Sequence, residues 1–189
     1  MDWQKGDVLA LYTLNCIDTP AIIWGTHWAG GIISPANPDY TSDELVFQLK
    51  DAGAKALVTQ KPFLKVAYEA AKRVGISEER IIVIGDERDE AGKFKHFTDI
   101  KDRSVMMNCK RTKVDPKKDL AFLVYSSGTT GHPKGVMLSH ENIVANIMML
   151  TVGEGGKELS WKGGKDGSGD KILAFLPFFH IYVRLLLHC

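Results

Sequence analysis

The sequence predicts an α/β fold built on a largely parallel sheet with flanking helices. Short apolar runs of strand length alternate with amphipathic stretches of helix length, the pattern of strands joined by helical crossovers. A glycine-rich loop springs from the end of one such run, where open α/β sheets bind ligands. The length of 189 residues suits one domain, or one and a part, and 44% hydrophobic residues can furnish its core.

The elements follow in order. A strand is expected within Asp7 to Asn15, then a mostly buried helix over 19–30 (TPAIIWGTHWAG) and a short strand from Gly31 to Pro35. Thr41 and Glu44 form a capping box, with Tyr40 and Leu45 at the staple positions. Leu45, Val46 and Leu49 give that helix its apolar stripe, and Gly53 ends it. The strand Ala56–Thr59 follows, and Pro62 opens a helix to about Arg73 with Phe63, Val66, Ala67 and Ala70 inward. Gly75 ends this helix before the strand Ile81–Ile84.

Residues 86–118 read as an irregular connection, with an aromatic patch at Phe94, His96 and Phe97 and an edge strand near Ser104 to Met107. Leu120 to Tyr125 restores a buried strand. Ser139 caps a helix with apolar positions Ile143, Val144, Ile147 and Met148, and Leu138 with Ile143 forms a second staple. Residues 153–170 are rich in glycine and lysine, and a last strand is expected over Ile172 to Leu176.

Composition excludes several function classes. A net charge of +1 gives no ground for a nucleic-acid or anionic-membrane partner. The basic segment Lys110 to Lys118 is interrupted by Asp115 and lacks aromatic interleaving, as a solvated linker does. Three cysteines (Cys16, Cys109 and Cys189) show no metal spacing and make no disulfide framework, which suits a reducing compartment. Residues 1–20 lack a basic segment followed by an apolar run, so no signal peptide is expected, and no stretch approaches eighteen apolar residues.

The chemistry concentrates in Tyr125 to Val136, YSSGTTGHPKGV, which gathers three glycines, five hydroxyl-bearing residues and a lysine in twelve positions. Backbone amides can cradle phosphate only where the chain turns tightly, which Gly128 and Gly131 permit. Ser126, Ser127, Thr129 and Thr130 offer hydroxyl donors, Lys134 a mobile charge, and Pro133 restrains the loop before it. A ligand-free tight turn is the alternative, but it does not require this density of donors. Gly128 is followed five positions later by Pro133, so this is no Walker A loop, and no G-x-G-x-x-G opens a helix here.

YSSGTTGHPKGV, followed by Leu138-Ser139-His140-Glu141-Asn142, closely resembles the phosphate loop of adenylate-forming enzymes. That superfamily includes acyl- and aryl-CoA synthetases, luciferases and peptide-synthetase adenylation domains. Phe175 to Tyr182 (FLPFFHIY) looks like the aromatic/histidine motif of its 4-coumarate–CoA ligase-like members, and Pro35 to Thr41 with the helix up to Gly53 looks like their early N-terminal region. The resemblance covers nearly the whole chain. It implies that residues 1–189 form part of a large N-terminal AMP-binding domain, with an early α/β segment at 1–85, a connection at 86–118 and a phosphate-loop segment at 119–189.

The reaction implied is activation of a small-molecule carboxylic acid by ATP with Mg2+ to an acyl-adenylate, then transfer to coenzyme A. By resemblance, Ser126, Ser127, Gly128, Thr129, Thr130, Gly131 and Lys134 surround the ATP phosphates, with Lys134 and Thr129 catalytic. His180 stands among Phe178, Phe179, Ile181 and Tyr182, where a packed core histidine fits as readily as a functional one. The resemblance assigns it to positioning the acid beside the adenylate. His140 reads as a surface residue, and His27, His96, His132 and His188 lack companion ligands, so no protein-held metal site is expected and magnesium arrives with ATP.

The family's adenine, ribose, magnesium and hinge segments and its C-terminal lysine have no counterpart here. The expectation is a truncated portion that does not complete activation alone and self-associates through exposed apolar surface. A non-catalytic nucleotide-binding or interaction protein, and a fragment of a peptide-synthetase or luciferase-like domain, are the alternatives. The compartment expected is the cytoplasm, or the peroxisome where the full-length protein carries a C-terminal signal.

Overall fold

The computed structural model describes residues 2–100, 111–126, 133–153 and 176–180. Among these, seven strands form one sheet in the order β5-β4-β3-β1-β2-β6-β7. They are β1 (Val8–Tyr12), β2 (Ile32–Ala36), β3 (Ala54–Gln60), β4 (Ile81–Ile84), β5 (Lys95–His96), β6 (Leu120–Ser126) and β7 (Lys134–Ser139). Every neighbouring pair is parallel except β6 with β7. The helices are α1 (Thr19–Trp28), α2 (Ser42–Asp51), α3 (Leu64–Val74), α4 (Phe97–Ile100) and α5 (His140–Gly153).

Alternation along the central strands divides the core into two layers, because successive side chains point to opposite faces. Leu9 and Leu11 of β1, Ala56 and Val58 of β3, and Ile82 and Ile84 of β4 pack with Ile22 and Ile23 of α1 and Ile143 of α5. Ala10 and Tyr12, Leu57 and Ile81 face the other way, against Leu45 and Leu49 of α2 and Ala67, Ala70 and Ala71 of α3. Strands covered on both faces must be apolar throughout, as β1 and β4 are.

Local signals place the helix ends. Thr41 Oγ1 accepts from the Glu44 amide while the Glu44 carboxylate accepts from the Thr41 amide at 2.8 Å, so both halves of the capping box are present. Gly75 takes the left-handed conformation (φ 81°) at the end of α3, which any residue with a Cβ adopts only with strain. Ser139 and Asn142 cap α5 reciprocally. The Asn142 amide donates to Ser139 Oγ at 3.2 Å, and the Ser139 amide to Asn142 Oδ1 at 3.0 Å.

Several expectations are corrected. The chain returns from the glycine-rich loop as β7, antiparallel to β6, where only loop was expected. The connection at 86–118 contains β5 and α4. His96 is buried within it, its ring nitrogens 2.9 Å from the Gly85 carbonyl and 2.8 Å from Thr98 Oγ1. α1 stops at Trp28 and leaves Trp24 and Trp28 half exposed. Val144 and Met148 of α5 are exposed, while Ile143 and Ile147 face the core. His140 is half-buried, its ring 5.3 Å from that of His27. The strands expected near Ser104 to Met107 and at Ile172 to Leu176, and the stretch 154–170, lie outside the described residues, except for Leu176 itself, which falls outside any strand.

Candidate functional site

A cleft of about 680 Å³ opens at the C-terminal ends of the parallel neighbours β2 and β6. The β2–β6 ladder has one register pair, Ile33 opposite Phe122. Two residues on, Pro35 has no N–H to continue it, and its carbonyl accepts from Gln48 Nε2 of α2 at 2.9 Å. Pro35, Asn37 and Tyr40 form one wall. Val124, Tyr125 and Ser126 of β6 with Val136 and Leu138 of β7 form the second. Asn142, Ile143 and Asn146 of α5, with Phe179 and His180, close the remainder. Apolar Pro35, Val124, Val136, Leu138, Ile143 and Phe179 share the lining with the polar groups of the asparagines, tyrosines, Ser126 and His180, a mixture suited to a small-molecule site.

The hairpin of β6 and β7 carries the glycine-rich loop at its head. Ser126, the last residue of β6, stands opposite Lys134, the first of β7, and both are exposed. Tyr125 pairs with Gly135, and a Cβ there would stand 3.2 Å from Cζ of Tyr125, so a glycine lets the ring cross the strand. The Tyr125 hydroxyl donates to Asp51 Oδ2 at 2.6 Å, tying the root of the loop to the end of α2. Burial, and then the Asp51 carboxylate, push the Tyr125 phenol well above the ordinary tyrosine range, so it remains a donor.

The segment 176–180 is held from the far end of the sequence. Asn15, in the turn after β1, donates from Nδ2 to the Leu176 carbonyl at 2.8 Å and accepts at Oδ1 from the Phe178 amide at 2.7 Å. Phe178 is buried and His180 is exposed on the cleft, so among the described residues of this motif it is Phe178, and not the histidine, that packs into the core. Tyr12 supports the opposite wall, donating to the Tyr40 carbonyl at 2.7 Å while its ring meets Phe63 edge-on at 5.7 Å. Burial, then the charges of Asp39 and Glu44, raise the Tyr12 phenol, and burial followed by Glu44 raises that of Tyr40.

Of the residues singled out in the sequence, Ser126 and His180 line the cleft and Lys134 stands across the hairpin from Ser126. Ser127, Gly128, Thr129, Thr130 and Gly131 lie outside the described residues. Sequence reasoning missed Asn15, Gln48 and Tyr125's link to Asp51. Gln48 had one visible sign, a polar residue falling within the apolar stripe of α2 beside Leu45 and Leu49. Among the described residues, no three His, Cys, Asp or Glu side chains gather as a metal site, and no helix is long and apolar enough to cross a membrane.

Comparison with known proteins agrees with this architecture. The chain is 35% identical to a probable 4-coumarate–CoA ligase of Dictyostelium discoideum, over 97% of this chain and 34% of that protein. It is 32% identical to a long-chain-fatty-acid–CoA ligase of Bacillus subtilis (strain 168), over 95% of this chain and 34% of that one. A solved long-chain-fatty-acid–CoA ligase of Archaeoglobus fulgidus superposes with a TM-score of 0.73 at 27% identity, covering 98% of this chain and 33% of that structure. The chain thus spans about a third of the length of the relatives it matches. The family model for AMP-binding enzymes matches residues 1–189, so the chain belongs to the AMP-binding enzyme family.

Proposed function

We propose that this chain is the phosphate-loop portion of an acid–CoA ligase, which activates a carboxylic acid with ATP and passes the acyl group to coenzyme A. The observation that carries the reading is the hairpin whose head pairs Ser126 with Lys134 and whose strands wall an apolar cleft bordered by His180. Phosphate and acid then meet where the cleft adjoins the loop.

In the first step a carboxylate oxygen of the acid attacks the α-phosphorus of ATP and the bond to pyrophosphate breaks. Charge builds on the leaving pyrophosphate. The Lys134 ammonium, the hydroxyls of Ser126, Ser127, Thr129 and Thr130 and the amides at Gly128 and Gly131 stabilise it there. Magnesium enters as its complex with ATP. His180 positions the acid and removes no proton, because a carboxylate attacks without losing one. In the second step the coenzyme A sulfur attacks the acyl carbon and AMP departs. The apolar lining of Val124, Val136, Leu138, Ile143 and Phe179 suits the hydrocarbon part of an aryl or fatty acid. The setting of this activity is the cytoplasm, or the peroxisome where the full-length protein carries such an address.

The adenine, ribose and acyl-transfer contacts belong, in this reading, to segments of the relatives outside the matched third. Pyrophosphate–ATP exchange with a panel of aryl and fatty acids tests it. The 189-residue chain alone is expected to give no exchange, and robust exchange by it contradicts this division. Joined to the segments that extend its relatives, it is expected to exchange in an acid-dependent way, slowed about 100-fold by Lys134→Ala. Exchange that ignores the acid, or survives Lys134→Ala unchanged, counts against the ligase reading. ATP binding with no exchange in either form favours a non-catalytic nucleotide-binding protein.

A further inference from the structure

We propose that Asn15 is the positioning residue that sets His180 on the cleft, a role that rests on the reading of the cleft as the acid site. Its carboxamide grips the backbone on both sides of Pro177, through the Leu176 carbonyl and the Phe178 amide. Pro177 has no N–H of its own to anchor, so the two groups flanking it are held by a single planar side chain. The Pro177 carbonyl then accepts from the His180 amide at 3.1 Å, closing a turn. Phe178 is buried at the foot of that turn, and Phe179 and His180 are delivered to the cleft.

The grip depends on a carboxamide. Leu176 offers an acceptor and Phe178 a donor, so the partner must supply one donor and one acceptor side by side. Aspartate supplies only acceptors and would set a carboxylate oxygen against the Leu176 carbonyl. Alanine supplies neither group.

The anchor is itself held. The neighbouring Leu14 amide donates to Gln60 Oε1 at the end of β3, at 3.0 Å. Asp18 Oδ2 accepts from the Gly85 amide beyond β4 at 3.2 Å, and the Thr19 amide donates to the Cys16 carbonyl at 3.1 Å. The turn after β1 is thus fixed to two neighbouring strand ends. From there Asn15 reaches partners 161 and 163 residues away. A site side chain is precise only when its supporting contacts are locked in this way.

The test uses the full chain with Asn15→Ala, the isosteric Asn15→Asp, His180→Ala and the double variant Asn15→Ala/His180→Ala. Hydrogen exchange at the Phe178 amide and NMR order at the His180 ring read the anchor without any ligand. Affinity for dodecanoyl-sulfamoyl-adenosine, an unreactive acyl-adenylate mimic, reads its consequence in the chain joined to the segments that extend its relatives. Asn15→Ala is expected to speed Phe178 exchange about tenfold, loosen the His180 ring and weaken mimic binding about tenfold. Asn15→Asp keeps the acceptor for Phe178 and gives an intermediate effect. The double variant is expected to bind no more weakly than His180→Ala alone.

Unchanged Phe178 exchange in Asn15→Ala, or mimic losses that add in full in the double variant, overturn the proposal. If the joined, otherwise unaltered chain does not bind the mimic while Asn15→Ala still frees Phe178 and the His180 ring, the acid-site reading fails and the anchor stands.

Discussion

The hydroxyl of Tyr125 donates a 2.6 Å hydrogen bond to Asp51, so the first residue of the glycine-rich motif is tied to the end of a helix 74 positions earlier. Tyr125→Phe removes this donor from a half-exposed site and is expected to cost about 0.5–1 kcal/mol in denaturant unfolding. Gly135→Val, which crowds the same ring, should lose as much or more. The folded-state phenol lies above its ordinary value of 10.0, so the stability it confers is full below that value and declines as pH rises through it. Ring NMR of Tyr125 is expected to show ionisation delayed relative to a free tyrosine, and to an ordinary position in Asp51→Asn the shift should partly return.

Gln48 is buried, and its amide nitrogen serves both Ser34 Oγ at 3.0 Å and the Pro35 carbonyl at 2.9 Å. Replacement by leucine keeps the bulk but strands those acceptors, at an expected cost of about 1–3 kcal/mol by urea unfolding. The loss should be accompanied by NMR shifts at Asn37 and Tyr40, on the cleft wall that follows Pro35.

His140 is expected to make stability sensitive to mild acid. Burial holds its imidazole below the ordinary value of 6.5, opposed by the charge of Asp119 and reinforced by Lys5. The unfolded state then takes up a proton before the folded state does. The contribution of His140 to stability is full above pH 6.5 and is lost as pH drops from there towards the folded-state value. Thermal unfolding between neutral pH and mild acid is expected to show the decline, and His140→Gln should flatten it.

Exposed apolar side chains on β7 and α5 are the basis for a proposal of self-association. Val136 and Met137 are 47% and 68% exposed, and Val144, Met148 and Met149 of α5 are exposed to 54%, 62% and 67%. Light scattering is expected to show concentration-dependent association through a second copy of the chain, reduced by Met137→Lys with Met148→Glu. A clean monomer at high concentration contradicts it.

Signals carried within a few residues were legible in the sequence. The capping box of Thr41 and Glu44, the staple partners of α5 and the left-handed Gly75 need only their neighbours to be read. The apolar runs of β1, β3 and β4 fixed the class, because strands covered on both faces leave no other pattern. β7 was not legible. Its Lys134 and Gly135 are poor strand formers, and its strand state comes from pairing with β6. Asn15 and Gln48 were equally silent, because an amide in the sequence does not disclose partners that the fold brings from elsewhere. The motif residues Ser126 and His180 could be picked out in advance, but their meeting at one cleft rests on contacts such as those of Asn15, which the sequence does not disclose.

If the head of the β6–β7 hairpin receives the phosphates of ATP, amide NMR during titration of the chain with magnesium–ATP will report it at the residues that frame the loop. The amides of Ser126 and Lys134 are expected to shift with ATP and with pyrophosphate but not with adenosine, and Lys134→Met should weaken ATP binding by about tenfold or more. Equal responses to adenosine and ATP, or ATP binding untouched by Lys134→Met, would show that the phosphates bind elsewhere.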